Sequence, residues 1–192
     1  MIDKLSDKCV KKLVANGVID SEDEELYLYG LHIAITQTTF VLYVIFLGIT
    51  FKCLIESIVL YLAFQTVRKY AGGYHASSPM VCNVISAILL LICIVAMKKL
   101  FVIDESILFV LVAIIFSISI IVLSPLDTPE KRLTEQEFIR YKKLSICTTI
   151  VLVAFIIVFY IFNIKNVYIP LCFSILLESL LLISGKIKTF IK

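Results

Sequence analysis

The sequence predicts an all-α, polytopic integral membrane protein, with about six transmembrane helices behind an amphipathic N-terminal helix and both termini in the cytoplasm. Three observations predict it. Of 192 residues, 60% are hydrophobic and 17% charged, against about 45–50% and about 25% in a soluble domain, and the mean hydropathy is +1.03. The apolar residues fall in six blocks, most of them long enough to cross a bilayer. Lys and Arg are shared unevenly between the segments that join those blocks. The same arithmetic excludes a disordered chain, a secreted disulfide scaffold and a nucleic-acid-binding domain, and the length fits a single membrane domain over 1–192.

The first twenty residues, MIDKLSDKCVKKLVANGVID, hold four Lys and three Asp with no continuous apolar core, which reads against a removable signal peptide. Ile2, Leu5, Cys9 and Leu13 recur at helical spacing, and Asn16-Gly17 is a C-terminal stop. This pattern fits an amphipathic helix over 1–20 lying on a membrane surface or on the protein's own cytoplasmic face. An ordinary packing helix would give the same pattern.

The six blocks are 31–51, 54–67, 80–97, 106–123, 144–162 and 167–183. The first is the lower part of a helix that starts near Ser21, which can cap it, and Glu22, Asp23, Glu24 and Glu25 complement the positive end of its dipole. The second is short and holds Glu56 and Gln65, so it crosses with local thinning or is re-entrant. The one sizeable polar loop is 124–143. If all six blocks cross, Lys4, Lys8, Lys11, Lys12, Arg68, Lys69, Lys131, Arg132, Arg140, Lys142, Lys143, Lys186, Lys188 and Lys192 share one side. Only Lys52, Lys98, Lys99 and Lys165 fall on the other. This imbalance of 14 against 4 assigns the richer side, with both termini, to the cytoplasm.

The cysteines (Cys9, Cys53, Cys82, Cys93, Cys147 and Cys172) are scattered without a CxxC pair, and there are two histidines. Neither a disulfide framework nor a zinc site is expected, and most of the thiols read as small packing hydrophobes. No cofactor motif is present: there is no Rossmann fingerprint, P-loop or EF-hand loop.

The stretch RKYAGGYHASSPMVC, residues 68–82, is the most unusual in the chain. Gly72-Gly73 opens backbone conformations closed to other residues. Ser78-Pro79 is a helix start, with Ser as N-cap and Pro in the first helical position. Cys82 then falls about one turn inside the third span, on the cytoplasmic side. Thiols react as thiolates, which a helix N-terminus and nearby cations favour, and Arg68 and Lys69 precede it in sequence. His75 lies seven residues earlier, about 10.5 Å of rise if the helix were continuous. Pro79 and the paired glycines argue for a break, and a loop folding back would bring imidazole and sulfur into the geometry of a nucleophile–base pair. A cysteine at a helix start and a histidine in an interfacial loop are also each ordinary. His32 and Cys147 lie towards the same side and read as structural.

That stretch strongly resembles the signature of the accessory gene regulator protein B (AgrB) family of quorum-sensing peptide processors, as do the chain length, the six-block hydropathy and SPLDTPEKRL at 124–133. The most specific element is the basic–Gly-Gly–His–x6–Cys arrangement. The resemblance implies a cysteine endopeptidase of the bacterial cytoplasmic membrane, acting as a homodimer without a cofactor. Its substrate would be a small AgrD-like propeptide with an amphipathic leader, a central signal segment and an acidic tail. Cys82 would attack at the signal–tail junction with His75 as general base, and an internal thiol or hydroxyl of the substrate would displace Cys82 to close a thiolactone or lactone. Arg68 matches a basic family position and would hold the acidic tail, stabilise developing charge, or simply anchor the span. Gly73 would set the loop conformation, Lys69 would support binding, and Gln65, Asn83 and Asp127 are possible orienters of the pair. The basic loop 131–143 could attract an acidic peptide or anionic lipid.

Two other readings stand beside it. A transporter or exporter of a small peptide or lipid would use Glu56 and Glu178, which are costly in a bilayer unless paired or facing water. A non-enzymatic scaffold for a sensor kinase would need no chemically essential residue.

Overall fold

The computed structural model describes residues 2–74, 78–100, 106–126 and 133–191. Among these, the chain forms seven α-helices and no strand: α1 (Ile2–Ala15), α2 (Glu24–Thr50), α3 (Leu54–Ala71), α4 (Pro79–Leu100), α5 (Ser106–Leu123), α6 (Glu135–Ile161) and α7 (Lys165–Ile191). Residues 1–46 and 47–192 are two compact units. Four helical stretches are long and apolar enough to cross a membrane: Ser21–Thr50, Met80–Lys99, Glu135–Ile161 and Lys165–Thr189. The apolar part of α5, Ile107–Leu123, is shorter, and α3 carries Glu56, Arg68 and Lys69.

In the first unit α1 ends at Asn16-Gly17. Gly17 takes φ +68°, its N–H reaches Val14 O and the Val18 N–H reaches Leu13 O, both at 3.0 Å. This pair of bonds is the Schellman stop, and it satisfies carbonyls the helix leaves open. Val10 is buried, and with Leu13 it faces Leu26, Tyr27, Leu31 and Ala34 of α2 across an open apolar cavity of about 570 Å³. The helical stretch does begin at Ser21. It opens with a 3-10 turn over Ser21–Asp23, led by an extended Asp20 that makes no side-chain cap bond. The four acidic residues do occupy the first turns, where the helix dipole favours them.

In the second unit the helix ends are tightly made. Lys52 and Asn163 adopt the left-handed conformation (φ 54° and 53°) and close α2 and α6 with the same pair of bonds that Gly17 uses: Lys52 N–H to Ile49 O with Cys53 N–H to Gly48 O, and Asn163 N–H to Tyr160 O with Ile164 N–H to Phe159 O. Each following helix starts within three residues. Gly48 allows this at the first hairpin, because a Cβ there would lie 2.9 Å from Leu54 Cα. Lys98 of α4 donates to the Phe51 carbonyl at the end of α2, a cation on a helix C-terminus.

Several helices extend beyond their apolar blocks, α7 from 183 on to Ile191 among them. α3 runs a further turn, through Ala71. α6 starts at Glu135, so residues 135–143 of the expected loop are helical. Thr134 caps it: the Glu137 N–H donates to Thr134 Oγ1 (3.3 Å) and the Thr134 N–H to Glu137 Oε2 (3.0 Å). The capping box T-E-Q-E was readable in the sequence but lay inside a stretch classed by polarity. Lys142, on the same helical extension, donates to the Ile121 and Ser124 carbonyls at 2.6 and 2.5 Å and so caps α5. Part of the basic loop thus has a packing task rather than a free surface. Thr134→Ala should lower the protein's stability by about 1 kcal/mol, seen as a lower midpoint of thermal unfolding in detergent micelles. An unchanged midpoint would mean that the box is dispensable.

The second unit is built around α7, which packs against α3, α5, α6 and, less extensively, α4. Two-thirds of its apolar window is buried, against about a fifth in the other three candidate spans. Those helices instead turn Ile88, Ile92, Ile150, Phe155 and similar residues outwards, a surface suited to lipid rather than water. With no hydrophobic drive between helices in a bilayer, small and polar residues hold them together. Ser119 of α5 bonds Ser179 of α7, and Ser145 of α6 donates to Ser124 Oγ at 2.8 Å.

Candidate active site

Cys82 occupies the first turn of α4. Ser78 is the N-cap: its hydroxyl accepts from Val81 N–H at 3.3 Å, and its carbonyl receives the Cys82 N–H at 3.1 Å. Pro79 is the first helical residue, where its missing N–H costs nothing. The half-buried Cys82 is a free thiol, as are the other five cysteines. His75 and Asp127 lie outside the described residues.

The backbone that leads to His75 is held in detail. α3 ends at Gly72, with φ 78° and ψ −141°, and Gly73 has φ 132°. Both lie where L side chains are strained. Space also requires glycine here: a Cβ on Gly73 would fall 1.9 Å from Arg68 Nη1, and one on Gly72 would fall 3.1 Å from the Leu126 carbonyl oxygen. The Leu126 N–H in turn donates to Ala71 O at 2.9 Å, tying the segment after α5 to the end of α3.

Arg68 is engaged by the protein's own groups. Its Nη1 donates to Gly72 O at 2.8 Å and its Nη2 to Tyr74 O at 2.7 Å. Nη1 also lies 3.8 Å from Glu178 Oε2 of α7, an ion pair with Glu178 wholly buried. The planar guanidinium suits this role because its donors diverge in a fixed fork. The loop then rests on α7: Tyr74 N–H donates to Leu181 O at 3.0 Å. Gly185 leaves room for it, since a Cβ there would meet Leu126 Cδ2 at 2.5 Å, Tyr74 N at 2.9 Å and Gly73 C at 3.0 Å. Lys188 Nζ sits over the Tyr74 ring, 5.1 Å from its centroid.

The other expected supporting residues are placed apart from this clamp. Gln65 donates to Tyr61 Oη at 2.9 Å, one turn back on α3. The exposed Lys69 has its ammonium 5.5 Å from the centroid of the neighbouring Tyr70 ring. Among the described residues no three His, Cys, Asp or Glu side chains converge as a metal would require. Leu181 and Gly185 were missed by sequence reasoning, and Leu126 lay unremarked within the SPLDTPEKRL stretch. Glu178 did give a signal, as a charge within an apolar block.

An apolar cavity of about 300 Å³ opens beside the clamp, lined by Tyr74, Ile85, Leu89, Leu177, Leu180, Leu181 and Ser184. Ile85 and Leu89 are three and seven residues beyond Cys82, on the same face of α4. The loop at Tyr74 and the helix face that carries the thiol therefore border one space.

No solved structure matches the chain. Two curated AgrB-like proteins of Clostridium perfringens, one of strain 13 and one of strain SM101 (both Type A), are each 28% identical to it over 89 residues, 46% of this chain. The chain thus spans 42% of the length of each relative. The family model described as Accessory gene regulator B matches residues 6–182, a range that takes in α3, the Gly72-Gly73 clamp, Cys82 and Glu178. On that match, the chain belongs to the Accessory gene regulator B family.

Proposed function

We propose that this protein is a membrane-embedded cysteine endopeptidase of the agr quorum-sensing system, which removes the C-terminal tail of a small AgrD-like propeptide and cyclises the remainder. The observation that carries the reading is Cys82, free and half-buried in the first turn of α4, one turn ahead of Ile85, which lines a cavity together with Tyr74, the clamped residue that immediately precedes His75. Family membership supplies the substrate class.

In this reading His75 takes the Cys82 proton and the sulfur attacks the carbonyl at the signal–tail junction. A carbon–sulfur bond forms, the peptide carbon–nitrogen bond breaks, and the tail departs with the proton on its new amino terminus. A thiol of the substrate, or a hydroxyl, then attacks the thioester. The Cys82 sulfur leaves and recovers a proton, and the ring closes. Exchange of one thioester for another is nearly balanced in bond energy, so closure needs little beyond loss of the tail. Tethering of the attacking thiol makes the step effectively intramolecular and lets it compete with water.

We further propose six crossings, both termini in the cytoplasm of the bacterial cell, and a homodimer. The helix ends that alternation assigns to one side do meet: Ala71 with Leu126, Tyr74 with Leu181, and Lys142 with the end of α5. Those assigned to the other side also meet, Phe51 with Lys98. Of the two glutamates behind the transport reading, Glu178 is paired with Arg68.

The test is reconstitution in liposomes with a candidate propeptide and mass spectrometry of the protein. A mass added to Cys82 equal to the propeptide without its tail, leader and signal segment together, is expected. Intact propeptide and unmodified Cys82, with a matched substrate, would reject the enzyme.

A further inference from the structure

Glu178 is the least expected group in the second unit. It is wholly buried in the helix that forms the centre of that unit. Among the described residues neither of its carboxylate oxygens accepts a hydrogen bond, and its ion pair is with Arg68 at 3.8 Å. A buried charge held by one partner without hydrogen bonds is expensive and poor evidence of stabilisation. In a membrane segment such a group marks function by default.

Its place on α7 points to which function. Glu178, Leu181 and Gly185 are spaced by three and four residues and form one stripe of the helix. Each position does one thing to the same short segment. Glu178 holds Arg68, whose guanidinium grips the Gly72 and Tyr74 carbonyls. Leu181 receives the Tyr74 N–H, and Gly185 leaves the gap in which the Gly73–Tyr74 backbone lies. The stripe is a cradle for the two residues ahead of His75.

We propose that Glu178 is a positioning residue: through Arg68 it fixes the backbone that presents the general base to Cys82, without itself touching substrate. The proposal rests on the His75–Cys82 reading above. Without the carboxylate, the half-buried guanidinium loses the charge that holds it over the loop and can turn to water or lipid phosphate. Both carbonyl bonds are then released, and the base is held less well. Displacements on the order of 1 Å can cost about 10²-fold in rate.

Two measurements on the full-length protein in liposomes separate this proposal from the reading it rests on. The first is amide exchange at Tyr74, whose N–H is bonded to Leu181 O. Glu178→Gln keeps the volume and removes the charge, and should speed this exchange at least about 10-fold, whereas Glu178→Asp should restore much of the protection. The second is single-turnover cleavage of the propeptide. Glu178→Gln should lower the rate about 10–10²-fold with little change in the concentration for half-maximal rate. Glu178→Asp should recover part of it, and adding Arg68→Met to Glu178→Gln should cost little more, because the two act as one unit. Unchanged Tyr74 exchange in Glu178→Gln would overturn the proposal whatever the enzyme does. Multiplying rather than overlapping losses in the double variant would overturn it too. Failure of the wild-type protein to form a Cys82 adduct would overturn the peptidase reading, and with it the role assigned to Glu178, even if the exchange result stood.

Discussion

Cys82→Ser should abolish tail cleavage, by at least about 10³-fold, while the protein still folds and inserts. Removing a covalent nucleophile leaves only binding and electrostatic help, and losses of this order or more follow in enzymes of this type. Serine keeps the size and hydrogen-bonding capacity of the side chain, and the half-buried position at the start of α4 can take it without repacking. The α4 cap is made by Ser78 and not by the cysteine side chain, so the helix start should persist. His75→Ala should fall by about 10²–10⁴-fold, the usual scale of a general base. Cleavage and mass on residue 82 are read together. Loss of both, with normal expression and an unchanged melting midpoint, is the expected result. Full cleavage by Cys82→Ser would remove the nucleophile from the mechanism and the mechanism from the protein.

Gly73→Ala should be the most damaging single change away from the proposed catalytic pair. At φ 132° any L side chain is strained. The added methyl would also fall 1.9 Å from Arg68 Nη1, so the guanidinium must leave. With it go the bonds to Gly72 O and Tyr74 O and the ion pair with Glu178. Cleavage should drop about 10²-fold or more, with Tyr74 amide exchange rising in step. Gly17→Ala is the comparison. Gly17 also has a positive φ, but a Cβ there meets nothing within 4 Å, so this change should cost about 1 kcal/mol of local strain and leave cleavage unaltered. Equal cleavage by the two variants would show that the loop's conformation does not matter to the reaction.

Much of the helical framework could be read locally. The Asn16-Gly17 stop, the Ser78-Pro79 start and the bounds of α5 depend on residues adjacent in sequence, and hydrophobic periodicity or capping chemistry is enough to mark them. The start of α6 was equally local, but its capping box sat among charged residues that hydropathy assigns to a loop.

The sequence by itself determined that the chain is a helical membrane protein and that Cys82 heads a helix. It also brought Arg68, the paired glycines and His75 into one short stretch. Only the tertiary structure decided what Arg68 does. Its partner Glu178 lies about 110 residues away, and the cradle at Leu181 and Gly185 depends on how α7 is rotated against α3 and the end of α5. Local chemistry propagates along the chain over a turn or two. The meeting of a guanidinium with a carboxylate from another helix is set by packing of whole helices, which no spacing in the sequence records.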